Sequence, residues 1–369
     1  MNLYWPEKRL FRSEKRKQRR RLARWDAAER KATATLLLSH AHCLDGVGSA
    51  IVTLRALGPD KVGVAYVQPG DMAHVLSHYA KTRGNGRSLL VADLSLQPDQ
   101  YYAILASCKT LHANGWRLQW RDHHHKQWEG LDLTLLENHL LAFTINADAT
   151  ESGASLQQQA LAPKDDFLRR LAETVRDRDL WWNKTPDSET LEFALTDLGT
   201  DAFTKHFLEA DPGSPIVDAT IQAAAQREKD RQAGAKTTLL NEARYYGEGP
   251  TKVGVVYGWL PKNTGLHDLL EDHGCQVAIN VRPNGKVSLR SRKPATVCHL
   301  IAREFKGGGH PNASGADLGL KGLAFWSYVL RRGKSAATER MAQLAVRVLA
   351  EHAKQSPLAK AEAKAEPAR

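Results

Sequence analysis

Four short stretches of the chain concentrate side chains that bind metals or move protons. They are Ser39-His40-Ala41-His42-Cys43-Leu44-Asp45-Gly46, the isolated Asp93, the run Asp122-His123-His124-His125, and Asp177-Arg178-Asp179. Imidazoles mixed with carboxylates suit Mn2+ or a similar divalent ion, because nitrogen and oxygen donors accept it and few thiolates are offered. Two such ions can share a carboxylate and hold a bridging water. They lower its pKa and clamp the attacking and leaving oxygens of an in-line displacement. A histidine run alone is as ordinary as any polar loop, and its weight here comes from the three other clusters.

Two further stretches suit phosphate. Ser152-Gly153-Ala154 opens a helix, where free N–H groups attract an anion, although Ser152 serves equally well as a plain N-cap. Gly307-Gly308-Gly309-His310-Pro311 brings three glycines that let backbone N–H groups approach an anion, followed by a histidine donor. Such a run by itself is often a turn. Arg290, followed by Ser291 on the preceding strand, has the forked geometry to grip a phosphate. Asp71, His74 and His78 share a helical face at metal-like spacing. Trp181 and Trp182 have faces on which bases stack, yet two aromatics ending a helix are more often core.

These residues need elements to hold them. The apolar runs at 35–40, 62–67, 88–93 and 117–122 read as strands, and three of the four end on a polar residue with chemical capability. Between them, 47–58, 71–81 and 99–115 carry apolar residues at the 3.6-residue helical period. Strands alternating with helices predict an α/β domain with a largely parallel sheet, in which sites gather at the carboxyl ends of the strands. Residues 151–236 read as mostly helical, the last part resembling a connector helix over 213–237. Strand patterns at 253–259, 275–281 and 286–291, with a hairpin signal at Asn284-Gly285-Lys286, predict a smaller C-terminal α/β domain over 238–354. Residues 355–369 read as a disordered tail.

Composition sets the frame. Of 369 residues, 42% are hydrophobic and 25% charged, the balance of a soluble two-domain protein. No run approaches a membrane span, so no membrane partner is expected. Four scattered cysteines without a C-x-x-C pair suit a reducing, cytoplasmic setting. The net charge is +11, and residues 1–31 hold 12 Lys/Arg against 4 Asp/Glu, so +8 of it lies there. That N-terminal extension reads either as an arm for longer nucleic acid, acting through counterion release, or as a solvated leader. In either case it is expected to be separable from the catalytic domain over 32–212.

Taken in order, H-x-x-C-x-D-G from His40, the lone Asp93, D-H-H from Asp122, D-R-D-L-W from Asp177 and G-G-G-H-P from Gly307 resemble the motif set of the DHH phosphoesterases. That superfamily includes RecJ-like nucleases, nanoRNases, cyclic-dinucleotide phosphodiesterases and type-II pyrophosphatases. The motifs span residues 39–315, about three quarters of the chain. The resemblance implies His40, Asp45, Asp93, His123 and Asp177 as ligands of two Mn2+ ions, with Mg2+ or Co2+ as alternatives and Asp93 as the bridging carboxylate. It implies His124 as the histidine that meets the phosphoryl group and Asp122 as the carboxylate hydrogen-bonded to a histidine. It gives Ser152 and Gly153 a phosphate role. It assigns Arg290, Ser291, Gly307, Gly308, Gly309 and His310 to a C-terminal domain that holds the nucleotide end of a substrate.

Two departures qualify the pattern. The commonest first motif has two aspartates, and Cys43 takes the place of the earlier one, so one metal site is weaker or uses Cys43 or His42. Asp179 competes with Asp177 for the fourth-motif ligand, with Asp177 favoured and Asp179 read as structural. The expected function is hydrolysis of phosphodiester bonds in short oligonucleotides or nucleotides, in the cleft between the two domains. Cyclic-dinucleotide phosphodiesterase and longer-chain exonuclease stay open as alternatives. A rival of another class is a nucleic-acid-binding protein with a degenerate DHH core.

Overall fold

The structure is a computed structural model describing residues 14–41, 43–96, 98–124, 128–146, 148, 150–258, 264–292, 295–305, 307–319 and 336–355. The chain is α/β and divides into two compact units between Lys229 and Asp230.

The first unit runs α1 (Glu14–Lys31), β1 (Thr35–His40), α2 (Leu44–Leu57), β2 (Val62–Val67), α3 (Met72–Tyr79), β3 (Ser88–Ala92), α4 (Tyr101–Ala113), β4 (Arg117–Asp122), α5 (Leu133–Glu137), β5 (Ala142–Ile145), α6 (Gly153–Leu161), α7 (Asp166–Asp179) and α8 (Pro186–Glu209). Its five strands pair in parallel in the order β2-β1-β3-β4-β5. The run Thr-Leu-Leu-Leu-Ser of β1 is apolar without alternation because both faces of the sheet are covered. Leu36 and Leu38 pack with Trp25, Leu76 and Trp120 on one side, while Leu37 packs with Ala50, Leu54 and Leu90 on the other. β5, an edge strand, had no counterpart among the expected strands. Its four residues are only half-buried or exposed, so the apolar signal that marks the inner strands is weak there.

Helix α1 corrects the expectation of a separable leader. Trp25 is 1% exposed, and Ala28 and Ala32 join it in the core. The spacing of Leu22, Trp25, Ala28 and Ala32 lays one apolar stripe on the sheet. Asp71, His74 and His78, read as a metal-like trio, instead dock this helix. Arg21 Nη1 donates to Asp71 Oδ1 at 2.5 Å, His78 Nε2 lies 2.9 Å from Asp26 Oδ1, and the His74 ring lies tilted against Trp25, centroids 5.4 Å apart. Residues 1–13 lie outside the described residues.

The division between the units falls within α9 (Ala219–Asn241), the expected connector helix displaced by a few residues. The second unit continues with β6 (Arg244–Tyr246), β7 (Val253–Tyr257), α10 (Thr264–Glu271), β8 (Val277–Val281), β9 (Lys286–Ser291), α11 (Cys298–Arg303), β10 (Gly308–His310), β11 (Ala313–Asp317) and α12 (Ala336–Gln355). Its sheet is mixed, ordered β10-β11-β9-β8-β7-β6, with β7 and β8 parallel. Ile279 and Leu289 pack there against Ile301, Met341 and Ala345. The expected tail from 356 onward lies outside the described residues. Among the described residues no helix is long and apolar enough to cross a membrane.

Candidate metal centre

A parallel sheet ordered 2-1-3-4-5 sends its connections in opposite directions from the first strand, opening a crevice at the carboxyl ends of β1 and β3. His40 is the last residue of β1, and Asp93 follows β3 directly. Ser39 lies level with Ala92, and Ala92 with Arg121, so the end of β4 delivers Asp122 and His123 to the same edge. Asp93 adopts a left-handed backbone, φ 54°, which costs a non-glycine residue about 1 kcal/mol or more. That conformation turns a buried carboxylate, 1% exposed, into the crevice.

The two oxygens of Asp93 face different donors. Oδ2 accepts from Cys43 Sγ at 3.0 Å and lies 3.4 Å from His40 Nδ1. Oδ1 lies 3.2 Å from His123 Nε2. The same His123 nitrogen is 3.4 Å from Asp179 Oδ2 and 3.6 Å from Asp45 Oδ2. Three overlapping triads result, His40-Cys43-Asp93, Asp93-His123-His124 and Asp45-His123-Asp179, each with ligand atoms within 4.8 Å of one another. His42 and His125 lie outside the described residues.

The first motif folds as a tight strand-to-helix turn. Cys43 caps α2, its sulfur accepting from the Gly46 amide at 3.0 Å, and Ser39 Oγ donates to the Gly46 carbonyl at 2.7 Å. Gly46 is required by space, since a Cβ there would stand 2.2 Å from the His40 carbonyl oxygen. Asp45, 1% exposed, is held by the start of α6: Gly153 N donates to its Oδ2 at 2.5 Å and Ala154 N to its Oδ1 at 2.8 Å. The N–H groups expected to meet a phosphate are therefore taken by Asp45. Ser152 is fully buried and forms a capping box with Ser155. A Cβ on Gly153 would fall 2.5 Å from Asp93 Cβ and 2.8 Å from Asp45 Oδ2, so this glycine lets the helix start close over both carboxylates.

Behind the centre, Asp122 is fully buried. Its Oδ1 lies 2.8 Å from His124 Nδ1, and its Oδ2 accepts from Trp128 Nε1 at 2.7 Å. That leaves Nε2 as the outward nitrogen of His124. Trp128 had no place in the sequence reading, and its only signal is an aromatic six residues after Asp122. The fourth motif resolves differently from the expectation. Asp177 spends its carboxylate on backbone, Oδ1 accepting from Lys184 N at 2.9 Å and Oδ2 from Thr185 N at 3.3 Å. Asp179, two residues on, reaches His123. The structure thus brings Asp179 into the cluster and leaves Asp177 as the residue that shapes the turn after α7.

Electrostatics follow from this crowding. Burial, then the charges of Asp93 and Asp179, push Asp45 up, and burial and Asp93 push Asp179 up. Burial opposes charge on His123, but its hydrogen bond to Asp93 and the charges of Asp45, Asp93 and Asp179 outweigh that and raise it to about 10. Burial also works against ionised Asp93, yet His123 and His40 hold it below the usual carboxylate range. Burial and then the neighbouring carboxylates raise the Cys43 thiol, which keeps its proton. Three carboxylates sharing this little space repel one another, and protons on their neighbours relieve the repulsion. A divalent cation would relieve it further, so the donor set fits one.

In the second unit, Arg290 on β9 lies level with Ala313 of β11, its Nη1 donating to the Leu289 carbonyl at 2.9 Å. Ser291 is buried, 8% exposed, with its hydroxyl accepting from Asn312 Nδ2 at 2.9 Å, so it serves the hairpin. The glycine run, expected as a loop, pairs as strand β10 against β11. Gly307 and Gly309 are demanded by that pairing, since Cβ atoms would meet the Gly315 carbonyl oxygen at 2.1 Å and the Ala313 carbonyl oxygen at 2.7 Å. Gly308 has open space around it, and His310 is exposed.

No protein-family model matches the sequence, and no curated protein does. Among solved structures, RecJ of Thermus thermophilus in complex with Mn2+ matches with a TM-score of 0.50 at 16% identity, over 93% of this chain and 56% of RecJ. An exopolyphosphatase-related protein of Bacteroides fragilis matches at 13% identity over 90% of this chain and 98% of its own, with a TM-score of 0.44. The pGpG-specific phosphodiesterase PggH of Vibrio cholerae matches at 15% identity over 83% and 98%, with a TM-score of 0.45. At these identities the likeness is one of fold. The chain shares its fold with the part of RecJ that it spans, about half of that protein, and this agrees with the expected α/β architecture.

Proposed function

We propose that the protein is a divalent-metal-dependent phosphodiesterase, Mn2+ being the best-suited ion, acting on short oligonucleotides or nucleotides. The observation that carries this reading is the position of Asp93 at the switch point of the sheet. One of its oxygens faces His40 and Cys43, and the other faces His123. A carboxylate so placed, common to neighbouring ligand groups, would be available to a divalent ion on either side of it. His40, Asp93 and Cys43 would hold one ion, and Asp45, Asp93, His123 and Asp179 the other. When bound, such ions activate water and neutralise charge on phosphoryl oxygens.

The chain's own groups do the rest. Asp122, fixed by Trp128, holds the His124 ring so that Nε2 faces a phosphoryl oxygen, where it donates a proton or a hydrogen bond as charge develops. Burial works against a charged His124, and the hydrogen bond to Asp122 outweighs it, raising its pKa and keeping that donor protonated. Asp45 is tied down by the Gly153 and Ala154 amides, so little motion is needed at the moment of reaction. To Arg290 and His310 of the second unit we assign the binding of phosphate. With Cys43 in place of an oxygen donor, an ion held by His40, Asp93 and Cys43 would be the weaker bound of the two, since the thiol would have to give up its proton to ligate it.

The test is a panel of labelled dinucleotides, longer RNA and DNA, and cyclic dinucleotides with Mn2+, run on the parent and on Asp93→Asn. Turnover of short substrates by the parent, lost by at least about a thousandfold in the folded variant, is the expected result. Nucleic-acid binding without turnover on any substrate would favour a degenerate, binding-only protein.

A further inference from the structure

Two tryptophans directly after the metal cluster are on the surface, although their place at the end of a helix suggested core. Trp181 is 70% exposed and Trp182 39%. Burying them would remove a large apolar area from water, so their exposure has to be enforced, and the local backbone enforces it. Trp181 and Asn183 both adopt left-handed conformations, φ 57° and 48°. A bulky residue there is a genuine outlier, and such outliers gather at ligand sites. Asp177 holds the turn in shape. Its carbonyl accepts from Trp182 N at 3.0 Å and Asn183 N at 3.2 Å, and its carboxylate accepts from Lys184 and Thr185.

The surface so formed is aromatic and cationic. The Arg178 guanidinium lies 4.9 Å from the centre of the Trp181 ring. Lys184 Nζ stands 4.2 Å from the Trp182 ring and the Arg176 guanidinium 5.4 Å from it. Arg176 and Arg178 are anchored by Glu151 and Glu192, so these cations are fixed in place. Trp181 is only two residues from Asp179, whose carboxylate is 3.4 Å from His123. Exposed aromatic rings with cations set over them, two residues along the chain from a candidate metal ligand, match a nucleobase with its neighbouring phosphate.

We propose that Trp181, with Trp182 and the cations around them, is a stacking platform for the nucleobase next to the scissile phosphate, and that the substrate therefore presents an unpaired base. This rests on the phosphodiesterase reading above and names the substrate class for it. A base in a duplex has both faces covered by its neighbours and cannot use the platform, whereas a base at a free single-stranded end can. Stacking on an aromatic face tolerates all four bases, so binding here selects for strandedness rather than sequence.

The test is calorimetric binding of a trinucleotide to the metal-free protein, with hydrolysis blocked by phosphorothioate linkages. A matched trinucleotide carrying abasic sugars is the comparator. The parent, Trp181→Phe, and Trp181→Gly are compared, glycine being the replacement that accepts φ 57° without strain. The parent is expected to bind the base-bearing ligand roughly tenfold more tightly than the abasic one. Trp181→Gly should lose that difference while keeping its affinity for the abasic ligand, and Trp181→Phe should retain much of it. A parent indifferent to the bases, or a Trp181→Gly variant that keeps the parent's preference, overturns the platform and leaves the phosphodiesterase reading standing. A parent that binds neither ligand overturns the platform, and one that also cleaves no substrate of the panel overturns both readings.

Discussion

Gly153 has to be glycine if Asp45 and Asp93 form one metal centre, and Gly153→Ala tests that. The added Cβ would sit 2.5 Å from Asp93 Cβ and 3.0 Å from Asp93 Cα, both fixed by backbone, and 2.8 Å from Asp45 Oδ2. Alanine's helix preference over glycine, ~1 kcal/mol, works in favour of the variant. Overpacking a rigid site costs ~1–3 kcal/mol. Shifting α6 away also lengthens the Gly153 and Ala154 hydrogen bonds to a buried carboxylate, each worth ~1.5–3 kcal/mol. The clash therefore wins, by roughly 1–3 kcal/mol net. For a unit of this size that is a loss of about 2–12 °C in Tm in the metal-free protein. Because the atoms displaced belong to two candidate ligands, Mn2+ affinity should fall by about 10–100-fold, as when the supports of a metal ligand are removed. Differential scanning fluorimetry with chelator gives the first number, and Mn2+ calorimetry gives the second. An unchanged Tm and affinity would refute the close approach of α6 to the carboxylates. A lower Tm with unchanged Mn2+ affinity would refute the role of Asp45 and Asp93 as ligands.

Asp179→Asn should lose bound metal with little change in stability. Asp177→Ala should keep metal while costing about 1–3 kcal/mol, because the Lys184 and Thr185 amides lose their acceptor; elemental analysis beside urea unfolding separates the two, and the opposite pattern would restore Asp177 as the ligand. Metal uptake should release protons: His123 sits at about 10 in the metal-free protein and must be neutral to coordinate, so affinity should rise about tenfold per pH unit for each proton expelled, from about pH 6 towards pH 9. Calorimetry in two buffers of different ionisation heat counts the protons, and none released near neutral pH would remove His123 from the ligand set. Trp25→Ala should cost about 3–5 kcal/mol, the loss of a fully buried indole, so deleting residues 1–30 should unfold the first unit rather than leave its core intact; a truncated protein with the parent's Tm would show α1 to be dispensable.

The sequence by itself determined the α/β alternation, because strands covered on both faces leave continuous apolar runs and helices between them leave a 3.6-residue period. It also placed His40, Asp93 and Asp122 at strand ends, since the last apolar residue of a run and the first ionisable one adjoin in sequence. It did not rank Asp177 against Asp179. Two residues apart on a helix point roughly 200° from each other, and only the packing of α7 decides which of them faces His123 and which caps the following turn. Nor did it see that α1 belongs to the core, because the arginines dominate its composition while Leu22, Trp25, Ala28 and Ala32 form a stripe that has meaning only once β1 and β2 lie beneath it. The phosphate role expected for Ser152 and Gly153 rested on free N–H groups at a helix start. Asp45, more than a hundred residues earlier, takes those groups, and a contact between residues that distant is fixed only when the sheet brings the ends of its strands together.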